Sequence, residues 1–278
     1  MAKLSAMKSK RHGEAMDLVN LERPLTMTEK EFVLANYKPH AEHNVKDIQA
    51  FFTPIELAMA ATIEMPNPDE YKNKAKILDI CAGIGTLAFA YYHYSGYRCN
   101  KDNTEIVCVE VTDEFIKVGK RILPEATWIK ADMFCLNAAD DVLDNVKIDT
   151  DFDCFISNPP FCKIPNYGLG LVGTKGCYLT AQIGMKLSKY GVMIVPKCNC
   201  PFEYSGRDNY EEIYNRDYNK FEDGSLLKFA PSCVDTEEVL DDNDEPIQWD
   251  GVKVSTEIVI VEDLREEPRH YPTPTISK

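Results

Sequence analysis

The sequence predicts an α/β protein whose core is a doubly wound, largely parallel sheet. Short apolar runs alternate with helical patterns along the 278 residues, and the runs at 105–109, 152–156 and 192–196 are mostly apolar, as strands buried on both faces are. Glycines or polar residues follow several of these runs. Open α/β sheets bind their ligands at the carboxyl ends of the strands, so we expect a binding site there.

The composition is that of an ordinary globular protein. The chain is 44% apolar and 27% charged, and no apolar run approaches the length that crosses a bilayer. The first residues lack the apolar segment of a signal peptide, so we expect a cytoplasmic protein without a membrane partner. The cysteines are scattered, and Cys198 and Cys200 have no second pair at zinc spacing, so we expect reduced thiols and no metal.

The overall charge bears on the class of partner. The formal net charge is -14, and the sequence pI is about 4.9. Proteins that grip duplex DNA usually neutralise phosphates with Lys and Arg, so this charge disfavours DNA as a partner. A local basic stripe can still exist within an acidic chain, and DNA therefore stays open.

The N-terminal part predicts a tail followed by a helix. Residues 1–13 carry four basic side chains and no acidic one, which is typical of a mobile basic tail. Thr28 and Glu31 have the spacing of a capping box, so we expect a helix from there to about Tyr37.

A second helix start lies in the segment Phe51-Phe52-Thr53-Pro54-Ile55-Glu56. Thr53 is a favourable N-cap residue, Pro54 suits the first helical position, and Glu56 completes a capping box. The helix should run to about Glu64. The free amides at its amino end would suit a carboxylate.

The stretch at 77–87 predicts a strand, a glycine turn and the start of a helix that reaches about Tyr94. Gly83 and Gly85 allow the backbone to approach a ligand more closely than residues with a Cβ would. Asp79 stands four residues before Gly83, at the end of the same strand. The turn is therefore a candidate binding loop.

Two further strand ends carry acids. After a polar loop at 95–104, a strand ends in Glu110, whose two oxygens are placed to hold ribose hydroxyls. A helix over 113–122 and a strand over 127–130 follow. The segment Ala131-Asp132-Met133-Phe134 comes next, so an acid also stands just beyond the end of this strand.

The central feature is the segment Asn158-Pro159-Pro160-Phe161, which ends the apolar run at 152–156. The two prolines stop further sheet pairing and hold the strand end rigid. The Asn158 side-chain oxygen and the Pro159 carbonyl can accept the two hydrogens of a planar amino group, which favours the form whose lone pair is free to attack. Phe161 can stack on a planar substrate.

The remainder of the core predicts a covering helix and closing strands. Glycines at 164–176 favour a mobile loop beside the site, acting as a lid or substrate clamp. A helix over 178–190, with Gly191 as its C-cap, precedes a buried strand. Segments 226–234 and 252–261 are expected to pair as an antiparallel hairpin.

Residues 198–251 do not fit a minimal core. They are rich in aromatic residues at first, and they contain 4 Lys or Arg against 15 Asp or Glu. So acidic a segment would not lie along phosphates without help. A substrate-facing insert, a partner-binding surface and a solvated hairpin all remain open.

Taken in order, these motifs resemble the S-adenosylmethionine (SAM)-dependent amino-methyltransferases, above all the DNA adenine-N6 methyltransferases with an Asn-Pro-Pro-Phe motif. The resemblance covers about residues 50–200 and implies a Rossmann-like, seven-stranded mixed sheet with a small insert near the C-terminus, and SAM as the cofactor. It assigns the catalytic role to Asn158, Pro159, Pro160 and Phe161. The residues that it implies bind the cofactor are Phe52, Thr53, Asp79, Ala82, Gly83, Gly85, Glu110, Asp132, Met133 and Asn158.

The chain is thereby divided into four segments. Residues 1–47 form an N-terminal tail and helix, and 48–197 form the SAM-binding catalytic core. Residues 198–251 form the acidic aromatic insert, which could recognise a substrate or a partner, and 252–278 form the closing strand and tail.

The resemblance favours methylation of adenine N6 in DNA by direct in-line transfer, with DNA as the partner. RNA adenine or a protein glutamine amide is an alternative acceptor for the same chemistry, and a protein acceptor fits the acidic charge better. A non-catalytic acidic binding protein that keeps the fold is the alternative from another class. The intact motifs argue against it.

Overall fold

A mixed sheet forms the centre of the structure, a computed structural model that describes residues 6–38, 51–71, 73–94, 101–137, 146–241, 243–249 and 253–265. The described strands are β1 (Ala75–Ile80), β2 (Thr104–Glu110), β3 (Thr127–Lys130), β4 (Cys154–Ser157), β5 (Gly191–Pro196), β6 (Phe202–Glu203), β7 (Glu211–Glu212), β8 (Leu227–Pro231) and β9 (Thr256–Asp263). Seven of them form one sheet in the order β3-β2-β1-β4-β5-β9-β8, and β6 pairs with β7 alone.

Strands β1 to β5 of the sheet are parallel, and β9 lies antiparallel between β5 and β8. The predicted doubly wound, seven-stranded sheet is therefore confirmed, together with its antiparallel closing pair. Strand β8 belongs to this sheet although it lies within the predicted insert 198–251.

The helices cover both faces of the sheet. The described α-helices are α1 (Ala6–Val19), α2 (Met27–Asn36), α3 (Ile55–Ala61), α4 (Thr86–Tyr94), α5 (Asp113–Ile122), α6 (Gly176–Leu187) and α7 (Arg216–Ser225). Short 3-10 helices occupy Thr62–Glu64, Pro68–Glu70, Lys101–Asn103, Met133–Cys135 and Lys197–Asn199.

Alternation along the strands produces two apolar layers. In β1, Leu78 and Ile80 point to the face that α6 and α7 cover, whereas Ile77 points to the face that α3 and α4 cover. Each layer is a contiguous group of buried side chains. The sheet is consequently rigid, and its strand ends are fixed relative to one another.

The order of the strands determines where a site can form. The chain winds outward from β1 through β2 to β3, then returns to place β4 on the other side of β1. Such a reversal opens a crevice at the carboxyl ends of the two central strands. The glycine turn follows β1 and Asn158 follows β4, so both stand at this crevice.

The N-terminal segment differs from its prediction. Residues 1–13 are not a mobile tail in their described part, because helix α1 begins at Ala6, and residues 1–5 lie outside the described residues. Ala15 and Val19 are buried in an apolar cluster with side chains of α2 and α5. The basic residues suggested a solvated tail. Apolar residues four positions apart instead form a face by which this helix packs against α2 and α5.

The capping box of α2 lies two residues before the predicted position. Thr26 Oγ1 accepts from the Glu29 amide, and Glu29 Oε2 accepts from the Thr26 amide at 2.8 Å. The predicted partner Glu31 instead accepts from the hydroxyl of Tyr94 on α4. Both registers have the Thr-x-x-Glu spacing, and tertiary contact selects between them.

Two other predicted caps are wrong. Pro54, not Thr53, occupies the N-cap of α3 and provides no side-chain hydrogen bond, and α3 gives way to a 3-10 helix at residues 62–64. Helix α6 ends at Leu187, and Gly191 is the first residue of β5. A Cβ at Gly191 would overlap the Phe155 ring, so glycine is needed there for packing rather than for capping.

Gly119→Ala tests the packing of α5 on the sheet. Alanine is the better helix former by about 0.8–1.0 kcal/mol, but a Cβ at Gly119 would overlap the Trp128 ring. Overpacking typically costs about 1–3 kcal/mol, so we expect a lower melting temperature and altered Trp128 fluorescence.

The matched control is Gly13→Ala in α1, where a new Cβ meets no atom of the described chain within 4 Å. This variant should be neutral or slightly stabilised. A melting temperature of Gly119→Ala at or above that of the unmodified protein would contradict the packing argument.

Candidate active site

A cavity of about 490 Å³ opens at the carboxyl ends of β1, β2 and β4. All but one of the predicted site residues line it. Those that line it are Phe52, Thr53, Asp79, Ala82, Gly83, Glu110, Asp132, Met133, Asn158, Pro159, Pro160 and Phe161. Residues that are far apart in sequence thus converge because the parallel strands end at one edge.

The two glycines of the turn have different surroundings. Gly83 has φ +57°, and its ideal Cβ would lie 3.1 Å from Phe52 Cε1, so glycine lets the Phe52 ring cover the loop. Gly85, the predicted residue that does not line the cavity, has φ +83° and faces Trp128, whose Cη2 would lie 2.9 Å from a Cβ. Gly85 therefore allows the turn to pack against Trp128, on the side away from the cavity.

Glu110 connects the turn to the end of β2. Its Oε2 accepts from the Gly83 amide at 2.8 Å, and its Oε1 accepts from the amides of Val111 and Thr112 at 2.9 Å each. Burial raises the pKa of this carboxyl, and the backbone amides oppose the increase. The carboxylate is therefore fixed in orientation and keeps acceptor capacity towards the cavity.

Asp79 is the most unusual group in the wall. It is 1% exposed, and its Oδ2 accepts from the Ala88 amide at 3.2 Å. Its Oδ1 is buried and has no hydrogen-bond partner within the described chain. Burial, together with the nearby charge of Glu110, raises the pKa of Asp79 to about 8. A cationic donor in the cavity would satisfy the free oxygen and favour the charged form.

Asp132 and Met133 form the wall beyond β3. Asp132 Oδ1 accepts from the Phe134 amide at 3.0 Å and so caps the short helix Met133–Cys135. The Met133 sulfur accepts from Thr180 Oγ1 at 3.2 Å and lies 3.7 Å from Cys81 Sγ. This side of the cavity has a fixed carboxylate beside a buried thioether.

The cysteine in this wall is not a nucleophile. Burial and the carboxylates of Glu110, Asp132 and Asp79 raise the pKa of the Cys81 thiol well above its usual range. A neutral thiol is a weak nucleophile, so the surroundings of Cys81 do not activate it for attack. Among the described residues, no group of three or more His, Cys, Asp or Glu side chains could hold a metal ion.

Asn158 has a fixed amide with one free end. Its Nδ2 donates to the Phe51 carbonyl at 2.7 Å, which sets the direction of the amide. Its Oδ1 is buried and has no hydrogen-bond partner within the described chain, and Asn158 is one of the residues that line the cavity. The preceding residue is also anchored, because Ser157 Oγ donates to the Ile80 carbonyl at 2.6 Å. The strand tip therefore presents an unused acceptor.

The segment after the strand tip packs tightly against α6. A Cβ at Gly176 would overlap the Pro160 carbonyl, and the Gly176 amide donates to the Cys162 carbonyl at 2.9 Å. The predicted glycine-rich loop folds back on itself, with the Ile164 amide donating to the Thr174 carbonyl at 2.7 Å. Its role as a mobile lid stays a prediction.

Several aromatic residues of the site were not predicted. Phe134 and Tyr167 meet edge to face at 5.1 Å, and both line the cavity. Phe51 stacks on Phe161 with ring centroids 6.0 Å apart and planes at 29°, and Trp249 meets Phe161 edge to face at 5.5 Å. Only Phe51 and Phe134 had a sequence signal, since they adjoin the predicted residues Phe52 and Met133.

No protein-family model and no curated protein sequence matches the chain. Solved protein structures do match the chain. A Listeria monocytogenes protein described as a class I SAM-dependent methyltransferase shares 16% identity with a TM-score of 0.56, over 93% of this chain and 74% of that one. The chain has the SAM-dependent methyltransferase fold. The resemblance seen in the sequence is confirmed at the level of the fold, and SAM, the expected cofactor, is the cofactor for which this fold is named.

Two further structures are described as modification or methyltransferase subunits of type I restriction systems. The one from Streptococcus thermophilus has 13% identity and a TM-score of 0.50, over 84% of this chain and 49% of its own. The one from Vibrio vulnificus has 10% identity and a TM-score of 0.51, over 87% and 51%. This SAM-dependent methyltransferase fold thus spans about half the length of each subunit. Within the described residues, no helix is both long and apolar enough to cross a membrane.

The burial of Asp79 predicts a pH-dependent stability. An unfolded Asp titrates near pH 4, whereas the folded group has a pKa of about 8. Between these values the folded chain binds more protons, so this group lowers stability as pH rises from about 4 to 8. Asp79→Asn removes this effect, and its melting temperature should exceed that of the unmodified protein increasingly with pH.

Thermal unfolding without added ligand, followed from pH 5 to pH 8, measures this difference. The control is Asp223→Asn, which changes an exposed carboxylate on α7. Its difference from the unmodified protein should stay nearly constant with pH. A constant difference for Asp79→Asn as well would show that Asp79 does not titrate in this range.

Proposed function

We propose that this chain is a SAM-dependent N-methyltransferase that acts on a planar amino group, most specifically the N6 amino group of adenine in DNA. The observation that carries the proposal is that Asn158 lines the cavity and that its buried Oδ1 has no hydrogen-bond partner within the described chain. An unpaired buried acceptor costs about 1–3 kcal/mol. Such a cost is accepted where a ligand supplies the missing donor.

The residues around the cavity fit SAM. Asp79 offers a free carboxylate oxygen in a buried wall, and a positively charged group would satisfy it. Glu110 is assigned to the ribose hydroxyls, and Asp132 and Met133 are assigned to the adenine ring. Phe52 and Thr53, on the side of the cavity beside α3, are assigned to the methionine end.

Bound SAM supplies a methyl group activated by a positive sulfonium. The protein has to orient the acceptor and free its lone pair. Asn158 Oδ1 accepts one amino hydrogen and the Pro159 carbonyl accepts the other, which weakens conjugation of the nitrogen with its ring or carbonyl. Because the Phe51 carbonyl holds the other end of the amide, Asn158 needs no reorganisation when the acceptor arrives.

Two observations support adenine in DNA. The order of the motifs is that of the adenine-N6 group, and two structures with this fold are described as methyltransferase or modification subunits of type I restriction systems. A duplex base would have to be flipped into the cavity, at a cost of a few kcal/mol.

A protein amide acceptor is the second candidate. The net charge of -14 disfavours phosphate contacts, and 198–251 has 15 acidic residues against 4 basic. The same acceptor geometry at Asn158 and Pro159 serves a glutamine amide as well as an adenine. RNA adenine is a further acceptor with the same chemistry as DNA adenine. The negative charge of the protein disfavours contacts with RNA phosphates just as it disfavours contacts with DNA phosphates.

Incubation with methyl-labelled SAM and separate DNA, RNA and protein pools decides among these acceptors. Label in DNA, together with altered digestion by methylation-sensitive nucleases, is the expected result. Label only in protein or only in RNA would replace DNA by that acceptor. SAM binding without label in any pool would support a binding protein and end the proposal.

Asn158→Ala should abolish transfer without loss of the fold. The loss of one preorganised acceptor should lower kcat by about 100- to 1,000-fold, whereas SAM affinity should change little. Asn73→Ala, at an exposed position away from the cavity, is the matched control. Methyl transfer by Asn158→Ala at a rate close to that of the control would refute the assigned role.

Glu110→Gln should weaken SAM binding. The substitution keeps the size of the side chain but replaces one acceptor by a donor, which opposes the backbone amides that Glu110 now accepts from. We expect at least about a tenfold loss of affinity by calorimetry, one lost charge-assisted hydrogen bond. Glu105→Gln, at the other end of β2, should leave the affinity unchanged. Equal affinities of the two variants would count against the assignment.

A further inference from the structure

Trp249 stands at the end of the acidic segment 198–251, and its side chain is only 9% exposed. A small hairpin leads to it. The Ile247 amide donates to the Val239 carbonyl at 3.1 Å, and the Asp241 amide donates to the Glu245 carbonyl at 2.8 Å. Secondary structure, rather than a free loop, therefore sets the position of Trp249.

The hairpin packs against the apolar layer on the face of the sheet that α3 and α4 cover. Val239 and Ile247 are partly buried in the apolar cluster that also holds Phe51 and Phe161. The base of the insert is anchored separately, since the buried Glu257 of β9 accepts from the amides of residues 204 and 205. The insert is thus fixed to the sheet at more than one point.

Trp249, Phe161 and Phe51 form an aromatic row that ends at Asn158. Trp249 meets Phe161 edge to face at 5.5 Å and 72°, and Phe161 stacks on Phe51 at 6.0 Å. The Phe51 carbonyl accepts from Asn158 Nδ2 at 2.7 Å. A continuous set of contacts therefore runs from the insert to the amide that orients the acceptor.

The aromatic row has an inner and an outer part. Phe51 and Phe161 line the cavity, whereas Trp249 is not among its lining residues. Trp249 therefore acts on a ligand through Phe161. An edge-to-face partner restricts the ring to one orientation, which is the condition for stacking a planar acceptor at a defined height above Asn158.

We propose that Trp249 is the positioning residue of the acceptor site. It holds the Phe161 ring in the orientation against which the planar acceptor stacks, and it makes the acidic insert part of acceptor selection. This inference rests on the proposed function, because it concerns the acceptor of that same transfer. It assigns to the hairpin that leads to Trp249 a role in recognising the acceptor rather than in binding SAM.

The test compares Trp249→Leu and Trp249→Phe by steady-state kinetics with the acceptor that the unmodified protein methylates. Leucine keeps an apolar side chain but lacks a ring edge, so kcat/KM for the acceptor should fall about three- to tenfold, the effect of one edge-to-face contact. Trp249→Phe keeps a ring edge and should retain most of the kcat/KM of the unmodified protein. SAM affinity by calorimetry should stay within about twofold for both, a change too small to reflect a lost contact.

The control is Phe229→Leu. Phe229 lies in the same segment but packs with Tyr218 and Phe221 in the apolar layer on the other face of the sheet. Its loss should lower the melting temperature at unchanged kcat/KM for the acceptor. If Trp249→Leu behaves like this control, Trp249 is structural only and the inference is overturned.

Tryptophan fluorescence provides a second measurement. The chain has two tryptophans, so Trp128→Phe leaves Trp249 as the reporter. Addition of acceptor should change its emission, and addition of SAM alone should change it little. Emission that does not respond to saturating acceptor would overturn the inference and leave the proposed function intact. An unmodified protein that methylates no pool would overturn both.

Discussion

The hydrogen bond from Asn158 Nδ2 to the Phe51 carbonyl joins the two halves of the cavity. Asn158 directly follows the central strand β4, and Phe51 begins the segment that leads into α3. Because only the amide nitrogen can donate to a carbonyl, the bond decides which end of the Asn158 amide is the nitrogen and leaves the oxygen without a partner in the described chain. The Ser157 contact to Ile80 then holds this tip against β1, beside the glycine turn. The proposed acceptor geometry depends on that pair of bonds.

The site keeps two buried oxygens that the described chain leaves unsatisfied, Asp79 Oδ1 and Asn158 Oδ1. Each lowers the stability of the free protein, since a buried acceptor without a donor has lost its hydration. The apolar layers on both faces of the sheet offset this cost. A ligand that donates a hydrogen bond to either oxygen would therefore also raise the stability of the folded protein.

Charge acts differently inside and outside the cavity. Inside, Glu110 and Asp132 line a small volume, and Asp79 adds a third negative charge once it ionises, which favours a cationic group. Outside, the chain as a whole is acidic, which repels phosphate over longer distances and is screened by salt. The same composition thus assists a sulfonium cofactor and weakens a nucleic acid partner. In the proposed reaction, local contacts of the insert would therefore matter more for acceptor recognition than overall charge does.

Local patterns in the sequence were enough for the parallel strands, the glycine turn and the polar residues at the strand ends, because apolar runs and polar tips need no distant partner to be recognised. All of the predicted site residues except Gly85 consequently lie around one cavity. Their individual roles remain a proposal. The sequence alone thus determined the fold and the location of the site.

Tertiary structure decided what depends on a distant partner. Glu31 is used by Tyr94, so α2 is capped at Thr26, and Gly191 is required by the Phe155 ring rather than by a helix end. Trp249 reaches Phe161 only because a hairpin in the insert carries it there. Contacts between segments far apart in the chain fix these positions, and such contacts leave no periodic pattern in the sequence.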